Sequence, residues 1–531
     1  MGTKETRPGS FIGRRQLLAG GGFLATSTLL RHPSATGAAA GLPLQESTNL
    51  YTRLGVRPLI NCKGTYTIIT GSQTLPEVKD AMFEASRHYV HLDELMEAVG
   101  LRLSDLTGAE WGIVTAGCSA AETLATCACV AGGDPEKIQR LPNLEGLKDE
   151  VIIPGYSRNV YDHAIRMVGV RIVEAENMVQ LQDSLGPRTA MIYILACPED
   201  QGSFGLEPIA EAARQRGVPV FVDAAAEGLT PEIHLRRGAD LVAYSGGKAL
   251  RGPQCAGLLL GNKKLCRAAW LHSAPHHAFG RSMKVGKEEI MGMLAAAEMW
   301  YQREHKAEWR LWESWLDAIA RSVASVPGVS TEVLQPGSLS NYSPRLAIRW
   351  DSTRLGVSGE EVYQLLLNGK PRIILAAGRG QFSNGMEKSS VEVMPWMMKP
   401  GDSEVVSGRL QEVLLNPPEV ERRESLGGRA TSVSGRWEGT LEFVLGQAGH
   451  TFYFEQEGEK LLGTHVTKTL SGSLRGVVDE NRLEFTSAQS YEGARFRYRF
   501  TGEIRDGSMS GDVDLGEYGM ARWSAHRYDY A

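Results

Sequence analysis

Residues Asp240–Gln254, with the sequence DLVAYSGGKALRGPQ, place a lysine just after an apolar run. The run 241–244 leads into a glycine-rich turn, and Lys248 stands in that turn rather than among the charged residues where solvated lysines usually occur. A lysine removed from water can act as a base or form a Schiff base with a carbonyl compound. The surrounding sequence therefore decides whether Lys248 has a chemical role.

Short apolar runs on both sides of this stretch have the length of buried strands. They alternate with helix-like segments such as LEPIAEAARQRG, an amphipathic pattern that Gly217 stops. The predicted strands are EVIIP (150–154), VRIVEA (170–175), TAMIYILA (189–196), PVFVDAAA (219–226), ADLVAYS (239–245) and CAGLLLG (255–261). This alternation predicts an α/β fold whose mostly parallel sheet is covered on both faces.

The flanking segments divide the chain further. Residues 91–132 predict a helix, a short strand, a tight turn and a helix of small residues, whereas 287–328 predict a long helical stretch. We assign residues 41–328 to a large domain, 329–415 to a small α/β domain, 416–434 to a linker and 435–531 to an antiparallel all-β sandwich or barrel. No catalytic set of residues is evident in the β domain.

Residues 1–40 have a different composition. Arg14 and Arg15 precede a moderately apolar run that ends near Ala38–Ala40, an order that resembles a twin-arginine export signal. The run is too short and too interrupted to span a bilayer stably. A tail with an accidental arginine pair is the alternative. The signal predicts a periplasmic or secreted protein.

Bulk composition sets the outer limits. A chain of 531 residues is expected to form two or three domains, and its net charge of −5 gives no reason to expect nucleic acid as a partner. The seven cysteines form no paired CxxC spacing, so free thiols and no metal are predicted.

A carboxylate is predicted at the same edge of the sheet as the lysine. Asp223 ends one strand and Lys248 follows the next, and ligands of open parallel sheets bind at the carboxyl ends of strands. Pyridoxal 5'-phosphate requires both groups, because a lysine forms its aldimine and an acid keeps its pyridine nitrogen protonated. The pair therefore predicts that cofactor.

A phosphate site is predicted from the sequence VTAGCSAAETLA. The chain turns at Gly117 and enters a helix at Cys118 and Ser119, and a helix N-terminus attracts anions. Ser245 can add a hydroxyl and Arg251 a charge. Each feature alone is typical of a simple turn, cap or surface lysine. Together they follow the chain order that one cofactor site requires.

Three segments carry a family resemblance. Residues 91–133, VDAAAEG at 222–228 and SGGKALRGPQCAGLLLG at 245–261 resemble the pyridoxal-phosphate enzymes grouped with selenocysteine synthase, in particular the D-glucosaminate-6-phosphate ammonia-lyase branch. The resemblance runs from about residue 54 to 415. It implies an aspartate-aminotransferase-like fold of type I and a homodimer or larger oligomer. The export signal and the β domain are not part of it.

The resemblance also implies residue roles. Lys248 matches the Schiff-base lysine, Asp223 the pyridinium partner, and Cys118, Ser119 and Ser245 the phosphate positions. In GYSRNVYDHAIR, His163 is our choice for the ring that stacks on the cofactor and Tyr161 the alternative, although either could be a core residue. The substrate-binding candidates are Arg281 and Lys284 at a helix start, and Arg372. A solvated basic surface is an equally good interpretation of these residues.

These roles predict a lyase that eliminates across the α,β bond of an amino acid or amino sugar acid and releases ammonia. An aminotransferase or another transferase on the same site is the first alternative. An exported binding protein with a degenerate cofactor domain is the second. The expected partner is a small molecule, with neither nucleic acid nor a stable membrane span.

Overall fold

The computed structural model describes residues 49–377, 381–383, 386–417 and 428–529. The predicted export segment and the middle of the predicted linker lie outside these residues. The chain divides into two compact units, Met1–Arg57 and Pro58–Ala531. In the first unit, the described residues form the 3₁₀ turn Thr52–Leu54, which ends at Gly55 in the left-handed conformation (φ 76°).

The α/β part of the second unit contains two sheets. Its strands are β1 Ile60–Cys62, β2 Trp111–Thr115, β3 Glu150–Pro154, β4 Arg171–Ala175, β5 Thr189–Leu195, β6 Val220–Asp223, β7 Leu241–Ser245, β8 Gly257–Gly261, β9 Ser330–Leu334, β10 Arg345–Asp351, β11 Ile373–Ala377, β12 Gln381–Ser383 and β13 Met386–Val393.

Helices separate these strands. They are α1 Pro76–Ser86, α2 Leu92–Thr107, α3 Cys118–Ala131, α4 Pro135–Arg140, α5 His163–Arg166, α6 Met178–Ser184, α7 Leu206–Gln215, α8 Pro231–Arg236, α9 Lys263–Leu271, α10 Lys287–Gln302, α11 His305–Val323, α12 Ser352–Leu355, α13 Gly359–Asn368 and α14 Asp402–Leu415.

The larger sheet has the strand order β2-β8-β7-β6-β5-β3-β4. From β4 to β7 neighbouring strands run parallel, and only β8 is antiparallel to its neighbours β7 and β2. The central strands β5 to β8 are almost entirely buried, because apolar runs of this length have no polar face to offer to water. The predicted α/β class and its strands are confirmed.

The smaller sheet has the order β1-β11-β13-β10-β9, with β12 paired to β13. Strand β1 comes from the beginning of the second unit and pairs in parallel with β11, so Cys62 is part of the core of this sheet. The long helical stretch between the sheets is two helices, because the backbone is extended at Arg303 (ψ 140°) and ends α10 there.

The C-terminal part closes into a barrel of antiparallel strands. The strands are β14 Gly435–Glu442, β15 Gln447–Glu457, β16 Lys460–Val466, β17 Ser471–Asp479, β18 Arg482–Tyr491, β19 Ala494–Arg505, β20 Ser508–Asp514 and β21 Met520–Arg527. Buried and exposed residues alternate along β14 and β21, as a barrel with a filled interior requires. Of the two predicted architectures, sandwich or barrel, the barrel is correct.

Large side chains fill the barrel interior. Phe485 stacks on Phe500 with ring centroids 4.4 Å apart, and Trp523 lies edge-on to both. At one side the core is polar: His450 and His465 share a hydrogen bond of 2.7 Å, and the other ring nitrogen of His465 lies 2.8 Å from the Ser487 hydroxyl. Burial lowers the pKa of these histidines to about 4 and about 3 respectively, so both are neutral at pH 7.

None of the helices in the described ranges is both long enough and apolar enough to cross a membrane.

Candidate functional site

The sheet brings three chain segments to one edge. Strands β6 and β7 are parallel neighbours, so Asp223 and Ser245 end on the same side. Strand β2 is antiparallel to β8, which is antiparallel to β7, and therefore β2 also ends at this edge. In register, Thr115 pairs with Gly257 and Gly257 with Ser245. The turn at Gly117, the Asp223 carboxylate and the turn carrying Lys248 thus face one region.

The Gly117 turn presents the beginning of α3 to this region. Gly117 has φ +91°, a conformation that favours glycine. It has no side chain to cap α3, so the N–H groups of the first helical turn remain available as hydrogen-bond donors. The turn lies directly on β8: a Cβ on Gly257 would come within 2.8 Å of the Cys118 nitrogen. Cys118 is buried, Ser119 is exposed and Ser245 is half-buried.

Donors from separate elements hold the Asp223 carboxylate. The Tyr193 hydroxyl donates to Oδ2 at 2.9 Å, and the Ala225 amide donates to Oδ1 at 2.9 Å. The Cys118 thiol lies 3.6 Å from Oδ1. Burial, followed by the Asp223 charge, raises the pKa of both Tyr193 and Cys118 well above their usual values, so both groups remain protonated donors. Their hydrogen bonds fix the direction in which Asp223 points.

Asn159 supports this arrangement from behind. Its side-chain amide donates to the Tyr193 hydroxyl oxygen at 3.1 Å, and its Oδ1 accepts the Tyr161 amide at 2.8 Å. The residue begins a 3₁₀ turn, Val160–Asp162. Neither Tyr193 nor Asn159 was predicted from the sequence, because each reads as an ordinary strand or turn residue until the sheet places it beside Asp223.

Glu122 is a second acid at the site that the sequence prediction missed. It lies in the first turns of α3 and is buried, and within the described residues its Oε2 has no hydrogen-bond partner. Burial, and then the charges of Asp223 and Asp162, raise its pKa well above the usual value, against the opposing effect of Lys248. The surroundings of Glu122 therefore favour its neutral, protonated form.

Ligand atoms of Cys118, Glu122 and Asp223 all lie within 4.8 Å of one another. A cation there would need deprotonated ligands. The environment favours the protonated forms of Cys118 and Glu122, and Asp223 already accepts hydrogen bonds. The cluster therefore fits a hydrogen-bonding role better than a metal site.

The Lys248 turn is tied to its surroundings through the backbone. The Ser72 amide donates to the Gly247 carbonyl at 2.9 Å, and Nη1 of Arg303 donates to the Ala249 carbonyl at 2.9 Å. Lys248 itself is half-buried, and its charge acts to lower the pKa of Cys118 and Glu122. The amine thus lies within electrostatic range of the acids.

The two candidate rings belong to residues two positions apart in the chain. Tyr161 and His163 are both exposed. Burial of part of the ring, then the charges of Asp223 and Glu122, raise the pKa of Tyr161, which shows that its hydroxyl is near both acids. This favours Tyr161, the alternative ring, although the assignment stays a prediction.

None of the hydrogen bonds described above for this cluster involves a predicted substrate residue. Arg281 and Lys284 are exposed in a loop, and α10 begins only at Lys287, so the expectation that they lie at a helix start is wrong: Gly286 is the N-cap. Arg372 uses its Nε to donate to the Leu367 carbonyl at 2.9 Å.

Arg251 lines a cleft. It has φ 53°, and its Nε donates to the Gln73 carbonyl at 3.0 Å. It lines a cleft of about 680 Å³ to which five tryptophans contribute, including Trp300 and Trp309, and whose charged residues include Lys306. No contact between Arg251 and the Gly117 turn occurs in the described part of the chain, so a role for it at the phosphate stays a prediction.

The residues at the sheet edge fit pyridoxal phosphate. The uncapped first turn of α3 offers amide donors to a phosphate, and the buried Asp223 offers an acid to a ring nitrogen. Lys248 offers an amine within electrostatic range of that acid. These are the groups whose chemistry the cofactor requires.

Comparison with known proteins identifies relatives of this chain. It is 28% identical to D-glucosaminate-6-phosphate ammonia lyase of Salmonella typhimurium (strain 14028s / SGSC 2262) over 379 residues, which cover 69% of this chain and 98% of the relative. It is 30% identical over 385 residues to 5'-C-glycyluridine monooxygenase-decarboxylase of a Streptomyces species, covering 69% of this chain and 92% of the relative.

A solved structure of D-glucosaminate-6-phosphate ammonia-lyase superimposes with a TM-score of 0.60 at 27% identity, covering 69% of this chain and 98% of that one. L-seryl-tRNA(Sec) selenium transferase of Moorella thermoacetica is 27% identical over 289 residues, which are 47% of this chain and 58% of the transferase. No family model matches the chain. With the fold and the site described above, these similarities show that the chain belongs to the fold-type-I family of pyridoxal-5'-phosphate-dependent enzymes.

Proposed function

We propose that the protein is a pyridoxal-phosphate-dependent lyase that eliminates across the α,β bond of an amino acid or amino sugar acid and releases ammonia. The observation that carries the proposal is the similarity to D-glucosaminate-6-phosphate ammonia lyase over 98% of that enzyme, together with the Asp223 cluster beside Lys248. The predicted export signal favours an unphosphorylated substrate, because phosphorylated sugars are chiefly cytoplasmic.

The cofactor, when bound, supplies an electron-accepting ring conjugated to the substrate nitrogen. In the proposed reaction, the Asp223 carboxylate holds a proton on the ring nitrogen, and the first amides of α3 bind the phosphate. The Lys248 Nζ would hold the cofactor at rest and, as a neutral amine, would take the proton from the substrate Cα. Loss of a leaving group from Cβ would then give an enamine, whose hydrolysis would yield the oxo acid and ammonia. Tyr193 and Cys118 keep Asp223 oriented.

The test is spectroscopic and chemical. We expect purified protein to show a visible absorbance band and to release ammonia and an oxo acid from one member of a panel of amino acids and amino sugar acids. Lys248→Ala should lose the band and lower kcat by about 10²–10⁴-fold, the contribution of a general base. A Lys248→Ala protein that keeps both the visible band and the wild-type kcat would refute the role assigned to Lys248.

A transferase is the second candidate, favoured by the similarity to selenium transferases. Absorbance after a half-reaction distinguishes the two. Transfer of an amino group leaves the cofactor in its amine form, whereas elimination returns the original spectrum. A protein that binds substrate but turns over nothing would instead support the exported binding protein.

We also propose a homodimer, as the family resemblance implies, and sedimentation velocity of the mature chain tests it.

A further inference from the structure

One rim of the barrel touches the α/β part of the chain. The contact is made by the hairpin that joins β18 to β19, which we call the rim hairpin (Tyr491–Ala494). Its Glu492 carboxylate lies 2.5 Å from the Arg158 guanidinium, and the Tyr491 ring lies 5.9 Å from the Arg166 guanidinium. A Cβ on Gly493 would overlap the Asn159 carbonyl group, so the two backbones pack directly on each other.

Arg158 connects this hairpin to an ion network around the buried Asp162. Its Nε donates to Asp162 at 2.7 Å and its Nη1 to Glu174 at 2.6 Å, while Asp162 also accepts Nε of Arg166 at 3.1 Å. The Asp162 side chain is fully buried. Glu492 thus supplies an additional carboxylate to a half-buried arginine, a setting in which charge-assisted hydrogen bonds are strong.

From this network a short path leads to the cofactor site. Asn159, on which Gly493 packs, donates to the Tyr193 hydroxyl oxygen at 3.1 Å. Tyr193 in turn donates to Asp223 at 2.9 Å. The barrel is therefore separated from the Asp223 carboxylate by two side chains. The Asn159 side chain donates to Tyr193 and accepts from the Tyr161 amide, and it can make both hydrogen bonds only while the Asn159 backbone keeps its position.

A second contact of the same rim is electrostatic. Glu517, in the 3₁₀ turn Gly516–Tyr518 between β20 and β21, contributes to raising the pKa of Tyr161. Burial, Asp223, Glu122 and Tyr66 contribute more to the same pKa. One phenol thus responds to charges of the barrel and of the cofactor site.

We propose that the rim hairpin is a positioning element of the cofactor site: Glu492 and Gly493 hold Asn159 in place, and Asn159, through Tyr193, orients the Asp223 carboxylate toward the ring nitrogen. This inference rests on the proposed function, because it requires a cofactor ring at Asp223. It assigns to the barrel a role in a reaction whose residues all lie in the α/β part.

Two variants of the full-length chain test the proposal. Glu492→Gln removes the ion pair with Arg158 without adding bulk, and Gly493→Ala lifts the hairpin from Asn159. The matched controls are Glu484→Gln, which breaks the exposed pair between Glu484 of β18 and Arg499 of β19, and Gly449→Ala, whose Cβ meets nothing within 4 Å. Circular dichroism verifies that the barrel is folded in all four.

The readouts are the dissociation constant for pyridoxal phosphate, titrated into apoprotein, and the pH midpoint of the visible band of the holoprotein. We expect both rim variants to bind the cofactor about tenfold more weakly, the effect of one hydrogen bond, with a shifted pH midpoint. Asn159→Ala combined with Glu492→Gln should be no worse than Asn159→Ala alone, since both act through Asn159. The controls should match the wild type.

Unchanged affinity and pH midpoint in folded Glu492→Gln and Gly493→Ala would overturn the inference while leaving the proposed function intact. Equal losses in the controls would also overturn it, since the effect would then belong to barrel stability. A wild-type chain that binds no pyridoxal phosphate would refute the proposed function itself, and with it this inference.

Discussion

At the scale of single residues, the site shows what a motif can and cannot predict. Asp223 and Lys248 could be found because each follows a buried strand, and parallel neighbours end at a common edge. Tyr193, Asn159 and Glu122 could not be found, because their contacts depend on side-chain directions that spacing does not reveal. The roles assigned from the sequence, including those of His163 and Arg372, stay predictions.

Glu122 yields a pH prediction. Its pKa is higher in the folded protein than the usual 4.5, so the folded state binds the proton more tightly and stability is lost as pH rises above 4.5 toward the folded pKa. Relative to Glu122→Gln, which cannot ionise, the wild type should lose about 1.4 kcal/mol of unfolding free energy per pH unit in this range.

Guanidinium denaturation of both proteins at pH 5, 6, 7 and 8 measures this difference. Glu110→Gln, at an exposed acid just before β2, is the control and should follow the wild type. A wild type that gains stability over Glu122→Gln with rising pH would show that Glu122 is ionised in the folded state.

At the scale of elements, the strands were predictable and the break between α10 and α11 was not. Apolar runs bounded by glycine and proline define strands locally, whereas the break at Arg303 depends on distant partners. Arg303 donates to the Ala249 carbonyl beside Lys248 and makes a two-point contact with Glu308, at 3.0 and 2.8 Å. The break therefore places a residue whose side chain binds the backbone of the turn that carries Lys248.

Removing this arginine should loosen the turn. We expect Arg303→Gln to lower the unfolding free energy by about 2–3 kcal/mol at pH 7, since hydrogen bonds to charged groups are lost, whereas Arg310→Gln, at an exposed arginine of α11, should have little effect. Although burial opposes it, hydrogen bonds from His305 and Arg303 lower the pKa of Glu308 to about 2.

A depressed carboxyl pKa contributes stability above the unfolded value of 4.5 that is lost as pH falls toward about 2. The difference between wild type and Arg303→Gln should therefore shrink at pH 3. Urea denaturation at both pH values measures it, and a difference that is equally large at pH 3 would argue against the ion pair.

The barrel should respond to acid in its own way. His450 and His465 have folded pKa values of about 4 and about 3, below their usual 6.5, so the unfolded state binds more protons and stability falls as pH drops below 6.5. Calorimetry from pH 7 to 4 should show the barrel transition moving to lower temperature. The effect should be smaller in His465→Gln and unchanged in His526→Gln, an exposed control on β21. A transition that does not move would contradict neutral burial.

At the scale of the whole molecule, three apolar cores were foreseeable from changes in periodicity, but the contact between the barrel and the α/β part was not. Glu492 and Gly493 read as an ordinary hairpin turn, and only the folded chain shows that they meet Arg158 and Asn159. Domain boundaries and destination remain predictions.

Export gives the test at this scale. In a bacterial host with a working twin-arginine pathway, the wild-type chain should appear in the periplasmic fraction in a processed form, and Arg14→Lys/Arg15→Lys should leave it in the cytoplasm. Arg7→Lys serves as a control outside the arginine pair. Cytoplasmic retention of the wild type would favour the accidental-pair explanation.

The ring of β14 to β21 has one more consequence. Within residues 428–529 each strand pairs on both sides, so the ring exposes no unsatisfied strand border to which another chain could add. A fold of this type can be joined to a catalytic body with little risk of cross-strand aggregation. The barrel can contact the rest of the chain only through its loops and its outward-facing side chains. Single substitutions in those loops can therefore alter this contact while the barrel itself remains intact.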